Sequence, residues 1–204
     1  VFVVDDDDAL RDSLVLSLRL ARHHVEAFPS ATAFLASAAP GARGCLVTDI
    51  RMPDMDGLAL QEELSRRGSL LAVVVITGHG DVPLAVRAMR AGAVDFLEKP
   101  FAREVLLAAV ARALEAGDRA ARAAVETHAI HARLDRLTPR EREVFDRVAS
   151  GLQSKVIAHQ LGTSPRTVEV HRARIMSKLE AQSVQDLVRM ALAAGDGVPP
   201  PSRS

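Results

Sequence analysis

Short, wholly apolar runs closed by turn residues alternate with segments of helical spacing through the first half of the chain. Val1–Val4 is a β-branched and aromatic run that ends in four consecutive aspartates, Asp5, Asp6, Asp7 and Asp8. Leu10, Leu14, Leu18 and Ala21 then recur at helical spacing. Val25–Phe28 reads as a second strand, and Ser30 is placed to cap a helix through Ala39. Cys45–Thr48 predicts a third strand and Leu58–Arg67 a third helix. Leu71–Ile76 is apolar throughout, as a strand covered on both faces is, and the helix Val82–Ala91 follows. Val94–Glu98 is a fifth strand, closed by Lys99-Pro100, with a helix from Ala102 onward. Five strands alternating with five helices over residues 1–115 predict a doubly wound α/β fold with a parallel sheet.

The second half has a different rhythm. From Ala102 to about Arg136 the chain is rich in Ala and Arg, with no Pro and a single glycine, Gly117. Apolar spacing fades after Leu114, which predicts a helix continuing as a solvated, semi-rigid connector over 116–136. Thr138-Pro139-Arg140-Glu141 is a helix start with Thr138 as cap, Pro at the first position and Glu141 three residues on, a capping box. That helix runs to Ser150-Gly151. Ser154 opens a short helix, Lys155–Leu161, and Ser164 caps a third, from Pro165 to about Glu180. Two short helices joined by a Gly-containing turn form a helix-turn-helix pattern. A fourth helix, Val184–Ala194, completes an all-α four-helix domain over 137–194, and a tail with three consecutive prolines occupies 195–204.

The polar residues that close the strands carry the candidate chemistry. Ligands of open α/β sheets bind at the carboxyl edge of the strands. Asp49 stands there after the third strand, ahead of the loop Met52-Pro53-Asp54-Met55-Asp56-Gly57. An acid in this place can ligate a cation, act as a nucleophile, or merely cap the next helix. The Asp5–Asp8 run, Thr77 and Lys99 belong to the same edge, and a capping role for Asp49 explains none of them. Carboxylates without His or Cys suit a hard, oxygen-preferring cation such as Mg²⁺. Lys99 supplies the positive charge that an incoming phosphoryl group needs, and the Thr77 hydroxyl can donate to its oxygens. Asp7 and Asp8 are suited to cap and charge the first helix. Asp54 and Asp56 do not make an EF-hand, because Met52 falls at the first ligand position.

Composition narrows the setting. The chain is 48% hydrophobic but has no Trp or Tyr and six Phe, so aliphatic packing carries the core. One cysteine, Cys45, lies in a strand-like run, which excludes a disulfide framework and points to a reducing cytoplasm. No apolar stretch reaches the roughly 18 residues of a membrane span, so no membrane partner is expected. Val1 falls inside a strand pattern, which predicts a short leader ahead of it. Zero net charge hides a division: residues 1–115 carry 12 Lys/Arg against 16 Asp/Glu, and residues 138–194 carry 9 against 6. An acidic half joined to a mildly basic one predicts two domains with different partners, the basic one a candidate for nucleic acid.

The helix from Pro165 bears this out in its pattern. At 100° per residue Val168, Ile175 and Leu179 share one face, with Arg166, Glu169, Val170, Ala173 and Ser177 opposite. Arg174 and Lys178 flank one side and Arg172 the other. Short side chains at the centre and basic ones at the margins suit a helix lying in a major groove.

Taken together, residues 1–115 resemble the receiver domain of two-component response regulators. The likeness rests on Asp5-Asp6, Asp49 before Met-Pro-Asp-x-x-Gly, Thr77 and Lys99-Pro100, in that order at the strand ends. It implies a flavodoxin-like sheet, with Asp49 as phosphoryl acceptor and Mg²⁺ held by Asp6, Asp49 and the Arg51 backbone carbonyl, supported by Asp5. It implies further that Thr77 and Lys99 sense the phosphoryl group, that Phe96 is an aromatic switch, and that Lys99–Pro100 is cis. Residues 137–194 resemble the LuxR-type helix-turn-helix domain, above all in Leu137–Val144 and Ser164–Arg172. The whole is similar to the FixJ-type branch of response regulators. Thr163, Ser154 and Arg174 depart from that pattern, which bears on operator preference.

The resemblance implies a transcription regulator, phosphorylated on Asp49 by a partner histidine kinase. It would bind double-stranded DNA through Arg166, Thr167, Glu169, Val170, Arg172, Ala173, Arg174 and Lys178. Phosphorylation would pair two receivers as a homodimer through Val82–Ala91 and Val94–Glu98, matching paired promoter half-sites. Two other readings compete: a receiver acting by protein contact without DNA, and a Mg²⁺-dependent aspartyl phosphatase. The phosphatase fold wants a second catalytic Asp two residues after the nucleophile, where this chain has Arg51.

Overall fold

Alternating residues of five parallel strands feed two cores, one on each face of a single sheet. The computed structural model describes residues 1–37, 41–78 and 82–195. The predicted helix end at Ala39, the loop residues His79 and Gly80, and the tail beyond Gly195 lie outside them. Contacts divide the chain into two units, the first ending at Arg122 and the second beginning at Ala123.

The first unit runs β1 (Phe2–Val4), α1 (Asp8–Leu20), β2 (Glu26–Phe28), α2 (Ala31–Ser37), β3 (Cys45–Asp49), α3 (Gly57–Arg66), β4 (Ala72–Thr77), α4 (Val82–Arg90), β5 (Asp95–Glu98), and then the first part of α5 (Arg103–Leu134), a helix whose last turns belong to the second unit. The strands are parallel in the order β2-β1-β3-β4-β5. Val3, Val47, Val74 and Ile76 meet Leu14 and Leu18 of α1 and Leu106, Ala109 and Val110 of α5 on one face. Val4, Leu46, Val73 and Val75 meet Phe34 of α2, Leu60 and Leu64 of α3 and Ala88 of α4 on the other. Because consecutive strand residues point to opposite, equally covered faces, the strands read as unbroken apolar runs. Each fully buried Val or Leu contributes about 1.5–3 kcal/mol. Few aromatics are needed, although Phe2, Phe28 and Phe34 do pack edge-on.

The strand order turns on β1, since the chain goes from β1 to β2 on one side and β3 on the other. Such a reversal opens a crevice beyond the carboxyl ends of β1 and β3. Both β3 and β4 extend past their apolar runs, so that Asp49 and Thr77 are strand residues. Ladder hydrogen bonds are indifferent to side-chain polarity, and Asp49 pairs with Ile76 in register.

In the second unit α6 (Pro139–Ala149), α7 (Ser154–Gln160), α8 (Pro165–Leu179) and α9 (Val184–Ala193) surround Val144, Phe145, Ile157, Val168, Ile175, Leu179 and Leu187. The capping box at Thr138 and the Ser164 cap form as the sequence predicts. One expectation is corrected. The last turns of α5 are not a solvated connector, because Ile130 and Leu134 are buried in this core. Two apolar residues four apart are too few to stand out from an Ala-rich helix. Among the described residues, no helix is long and apolar enough to cross a membrane.

Candidate functional site

At the carboxyl edge of the sheet, four identical residues take four different roles. Asp5 directly follows β1 and is buried, whereas Asp6 is exposed. Asp7 caps α1 through the amides of Ala9 and Leu10. Asp8 lies in the first turn and pairs with Arg11. Strand end, turn, cap and helix dipole separate them.

Asp5, Asp49 and Lys99 converge from β1, β3 and the end of β5. Lys99 Nζ stands 2.6 Å from Asp49 Oδ1 and 3.3 Å from Asp5 Oδ2. The second oxygen of Asp49 accepts the Arg51 amide at 2.9 Å, and Asp5 Oδ1 accepts the Asp7 amide at 2.9 Å. Burial pushes the Asp5 carboxyl above its ordinary range; the charge of Asp49 adds to this, while the Asp7 amide and Lys99 oppose it. Two buried carboxyl groups thus share one lysine. Thr77 is buried, and its carbonyl accepts the Lys99 amide at 2.7 Å. The Lys99–Pro100 peptide is cis, as expected.

The capping alternative for Asp49 is excluded by geometry. Asp56 caps α3, its Oδ1 accepting the Ala59 amide at 2.7 Å. Gly57 then donates to the Ile50 carbonyl at 2.9 Å and lies against the strand end, where a Cβ would fall 2.1 Å from the Asp49 carbonyl oxygen. The glycine of the Met-Pro-Asp-x-x-Gly loop is therefore needed for close approach and not for a special φ. Phe96 is half-buried and packs on the core layer that holds Val75 and Ala88.

Not every candidate converges. Among the described residues no three Asp, Glu, His or Cys side chains are gathered closely enough to ligate a metal. Asp6 is exposed, and Lys99 bridges the buried Asp5 and Asp49.

On α8 the predicted face is borne out in burial: Val168, Ile175 and Leu179 are fully buried, while Arg166, Thr167, Glu169, Val170, Ala173 and Arg174 are exposed. Arg166 and Arg174 make no ion pair or hydrogen bond with the described residues, so both are free to meet a polyanion. The flanks differ from expectation. Lys178 Nζ lies 2.6 Å from Glu141 Oε2 and 3.2 Å from the Arg136 carbonyl, clamping the end of α8 to the capping box of α6. Its position beside Leu179 turns it toward α6, so the assignment of Lys178 to a phosphate is corrected to a structural clamp. Arg172 is likewise drawn toward α7, where Nη1 donates to Ser154 Oγ at 2.8 Å. Contacts between helices far apart in sequence leave no local signal, and spacing along α8 could not reveal them.

The clamp has a pH signature. The hydrogen bond from Lys178, then that from the Thr138 amide, lowers the Glu141 pKa from 4.5 to about 2. A carboxylate depressed on folding stabilises the folded state above its unfolded pKa, and this contribution is lost as pH falls toward the folded value. Stability of the second unit should therefore drop between about pH 4.5 and about pH 2. Lys178→Met should cost about 1–2 kcal/mol at neutral pH, because the lysine is partly exposed and screened, and should flatten that acid limb. Hydrogen exchange of α8 amides reads both, and an unchanged limb in the variant would count against the clamp.

Comparison with known proteins agrees with both halves. Residues 1–111 match the response regulator receiver domain, and residues 135–191 match the LuxR family of bacterial regulatory proteins. Transcriptional regulatory protein FixJ of Azorhizobium caulinodans is 50% identical over 96% of this chain and 92% of its own length. The structure of the response regulator StyR is similar at 42% identity and a TM-score of 0.74, covering 94% of this chain and 96% of that one. Full-length FixJ from B. japonicum gives 45% identity and a TM-score of 0.58, with 96% of both chains covered. The chain belongs to the FixJ-type two-component response regulators, transcription regulators in which phosphorylation of a receiver domain controls a LuxR-type DNA-binding domain.

Proposed function

We propose that Asp49 is the phosphoryl acceptor and that a partner histidine kinase is the donor. The observation that carries this is the buried Asp49 carboxylate held 2.6 Å from Lys99 Nζ at the switch point of the sheet. A carboxylate oxygen of Asp49 attacks phosphorus in line, the bond from phosphorus to the kinase imidazole breaks, and its electron pair returns to that nitrogen. The product is an acyl phosphate on Asp49, and Lys99 offsets the charge on the transferring group. Asp5, Asp6, Asp49 and the Arg51 carbonyl fit a hard cation by donor type. Mg²⁺ bound there would neutralise phosphoryl oxygens. The chain carries this transfer chemistry without being a metabolic enzyme, and a cytoplasmic setting suits its single buried thiol.

Thr77 and Phe96 are the proposed sensors, one at the end of β4 and the other on β5 beside α4. Val86 and Met89 stand 44% and 49% exposed on α4, next to Arg87 and Arg90, while β5 carries Asp95 and Glu98. An exposed apolar strip with opposite charges beside it suits an isologous contact with a second copy. Two receivers so paired would present two DNA-binding domains to a two-fold site. Arg166 and Arg174 are the proposed phosphate contacts, and Glu169, Val170 and Ala173 face the bases with Thr167.

One experiment tests the scheme: titrate the full chain against duplex promoter DNA at several salt concentrations, with and without acetyl phosphate and Mg²⁺, and sediment the same samples. The phosphodonor should double the sedimenting mass and tighten binding, and Arg174→Ala should lower the salt slope by about one. Arg87→Glu should stay monomeric. Binding that ignores salt, or no DNA binding at all, would favour the receiver that acts by protein contact alone.

A further inference from the structure

The first turn of α7 meets the outward face of α8 in a network that neither helix needs for capping. The α7 cap is Gln153, which makes no side-chain cap hydrogen bond, and Ser154, expected just ahead of a helix from Lys155, is itself the first helical residue. Its hydroxyl donates to Glu169 Oε1 and accepts from Arg172 Nη1. The same Arg172 nitrogen lies 3.5 Å from Glu169 Oε1. A serine hydroxyl has one proton to give, and here it is committed to the glutamate. The outcome is an acceptor fixed in place on an exposed face: the Glu169 side chain is 59% exposed, and its second oxygen has no partner among the described residues.

A negative side chain at the centre of a DNA-facing surface is opposed by the phosphates on either side of the groove. Arg172 offsets that charge where it stands, so the glutamate can approach base edges as part of a neutral pair. An ionised carboxylate only accepts hydrogen bonds. Guanine offers acceptors at O6 and N7 and thymine one at O4, all of which repel it. Adenine sets its N6 donor beside the N7 acceptor. Cytosine alone presents an amino donor and no acceptor of its own in the major groove, so a carboxylate can meet N4 from the side away from the paired guanine.

We propose that Glu169, held by Ser154 and Arg172, reads a cytosine in the major groove, and that Ser154 is the positioning residue for this preference. The proposal rests on the DNA-binding reading of α8 given above. Ser154 sets how sharply the cytosine is chosen, because without its hydroxyl the glutamate keeps only the longer contact to Arg172 and samples other rotamers.

The test is enrichment of a duplex pool with a randomised half-site by the full chain, treated with acetyl phosphate and Mg²⁺. Wild type should enrich cytosine at one position. Glu169→Gln should move that position to adenine, whose N6 and N7 suit an amide, with a change in preference of about tenfold. Ser154→Ala should keep cytosine but lower its discrimination several-fold at an unaltered salt slope, and Ser154→Thr, which restores the hydroxyl, should recover it. Glu169 is exposed, so Glu169→Gln folds and carries the test whatever Ser154→Ala does to α7. If Glu169→Gln enriches the same base as wild type, or Ser154→Ala discriminates as sharply, the proposal is overturned. If wild type enriches no sequence and its binding ignores salt, the DNA-binding reading itself fails.

Discussion

Asp49→Asn should reduce phosphoryl incorporation from acetyl phosphate and Mg²⁺ to background, while wild type gains a single group. Asparagine has the shape of aspartate, so its side-chain oxygen can keep the Arg51 amide that Asp49 Oδ2 accepts at 2.9 Å. What it loses is the anionic oxygen that attacks phosphorus, and a neutral amide is a poor nucleophile. The variant should remain folded. In the wild type the Asp49 charge helps raise the Asp5 pKa, so removing it relieves a repulsion, and Lys99 keeps Asp5 at 3.3 Å as its partner. Burial of a charge left without any partner, the usual reason for such a substitution to unfold a protein, does not arise here. Intact-mass analysis over a time course decides the matter. A variant that gains one phosphoryl group at the wild-type rate would move the acceptor elsewhere, with exposed Asp6 an alternative at the same sheet edge.

How far the sequence went differs between the two units for physical reasons. Strand positions were legible because both faces of the sheet are covered, and burial on both sides demands continuous apolar runs. Asp49, Thr77 and Lys99 were legible because a polar residue ending such a run has few bland explanations. The four aspartates after β1 were harder: Asp7 and Asp8 follow from helix-start chemistry, but nothing in the letters separates buried Asp5 from exposed Asp6. In the helical unit the inner face of α8 could be read from spacing alone, since it depends only on that helix. Its flanks could not, because Lys178 meets Glu141 across 37 residues and Arg172 meets Ser154 across 18. Long side chains at the edge of a buried stripe are committed by whichever neighbour arrives. Sequence spacing gives their angle on the helix and not their partner.

Gly57→Ala should be the most damaging conservative substitution in the first unit. The added methyl would sit 2.1 Å from the Asp49 carbonyl oxygen, 3.0 Å from its carbonyl carbon and 3.2 Å from the Ile50 Cα. All three are backbone atoms of the strand end, so no side chain can swing away to make room. Either α3 backs off the sheet or Asp49 is pushed from its place beside Lys99. Overpacking of this kind costs about 3 kcal/mol, a fall of roughly 10 °C or more in the melting midpoint of a unit this size. The chemistry should suffer beyond the stability loss, since misplacing a reacting group by about 1 Å can cost on the order of 100-fold in rate. Acetyl phosphate labelling well below the midpoint, where the variant is still folded, separates the two effects. Gly78→Ala is the control, because a Cβ there meets nothing within 4 Å among the described residues, and it should melt and label as wild type does. If Gly57→Ala behaved like that control, α3 would not rest on the strand end, and the placement of Asp49 would need another cause.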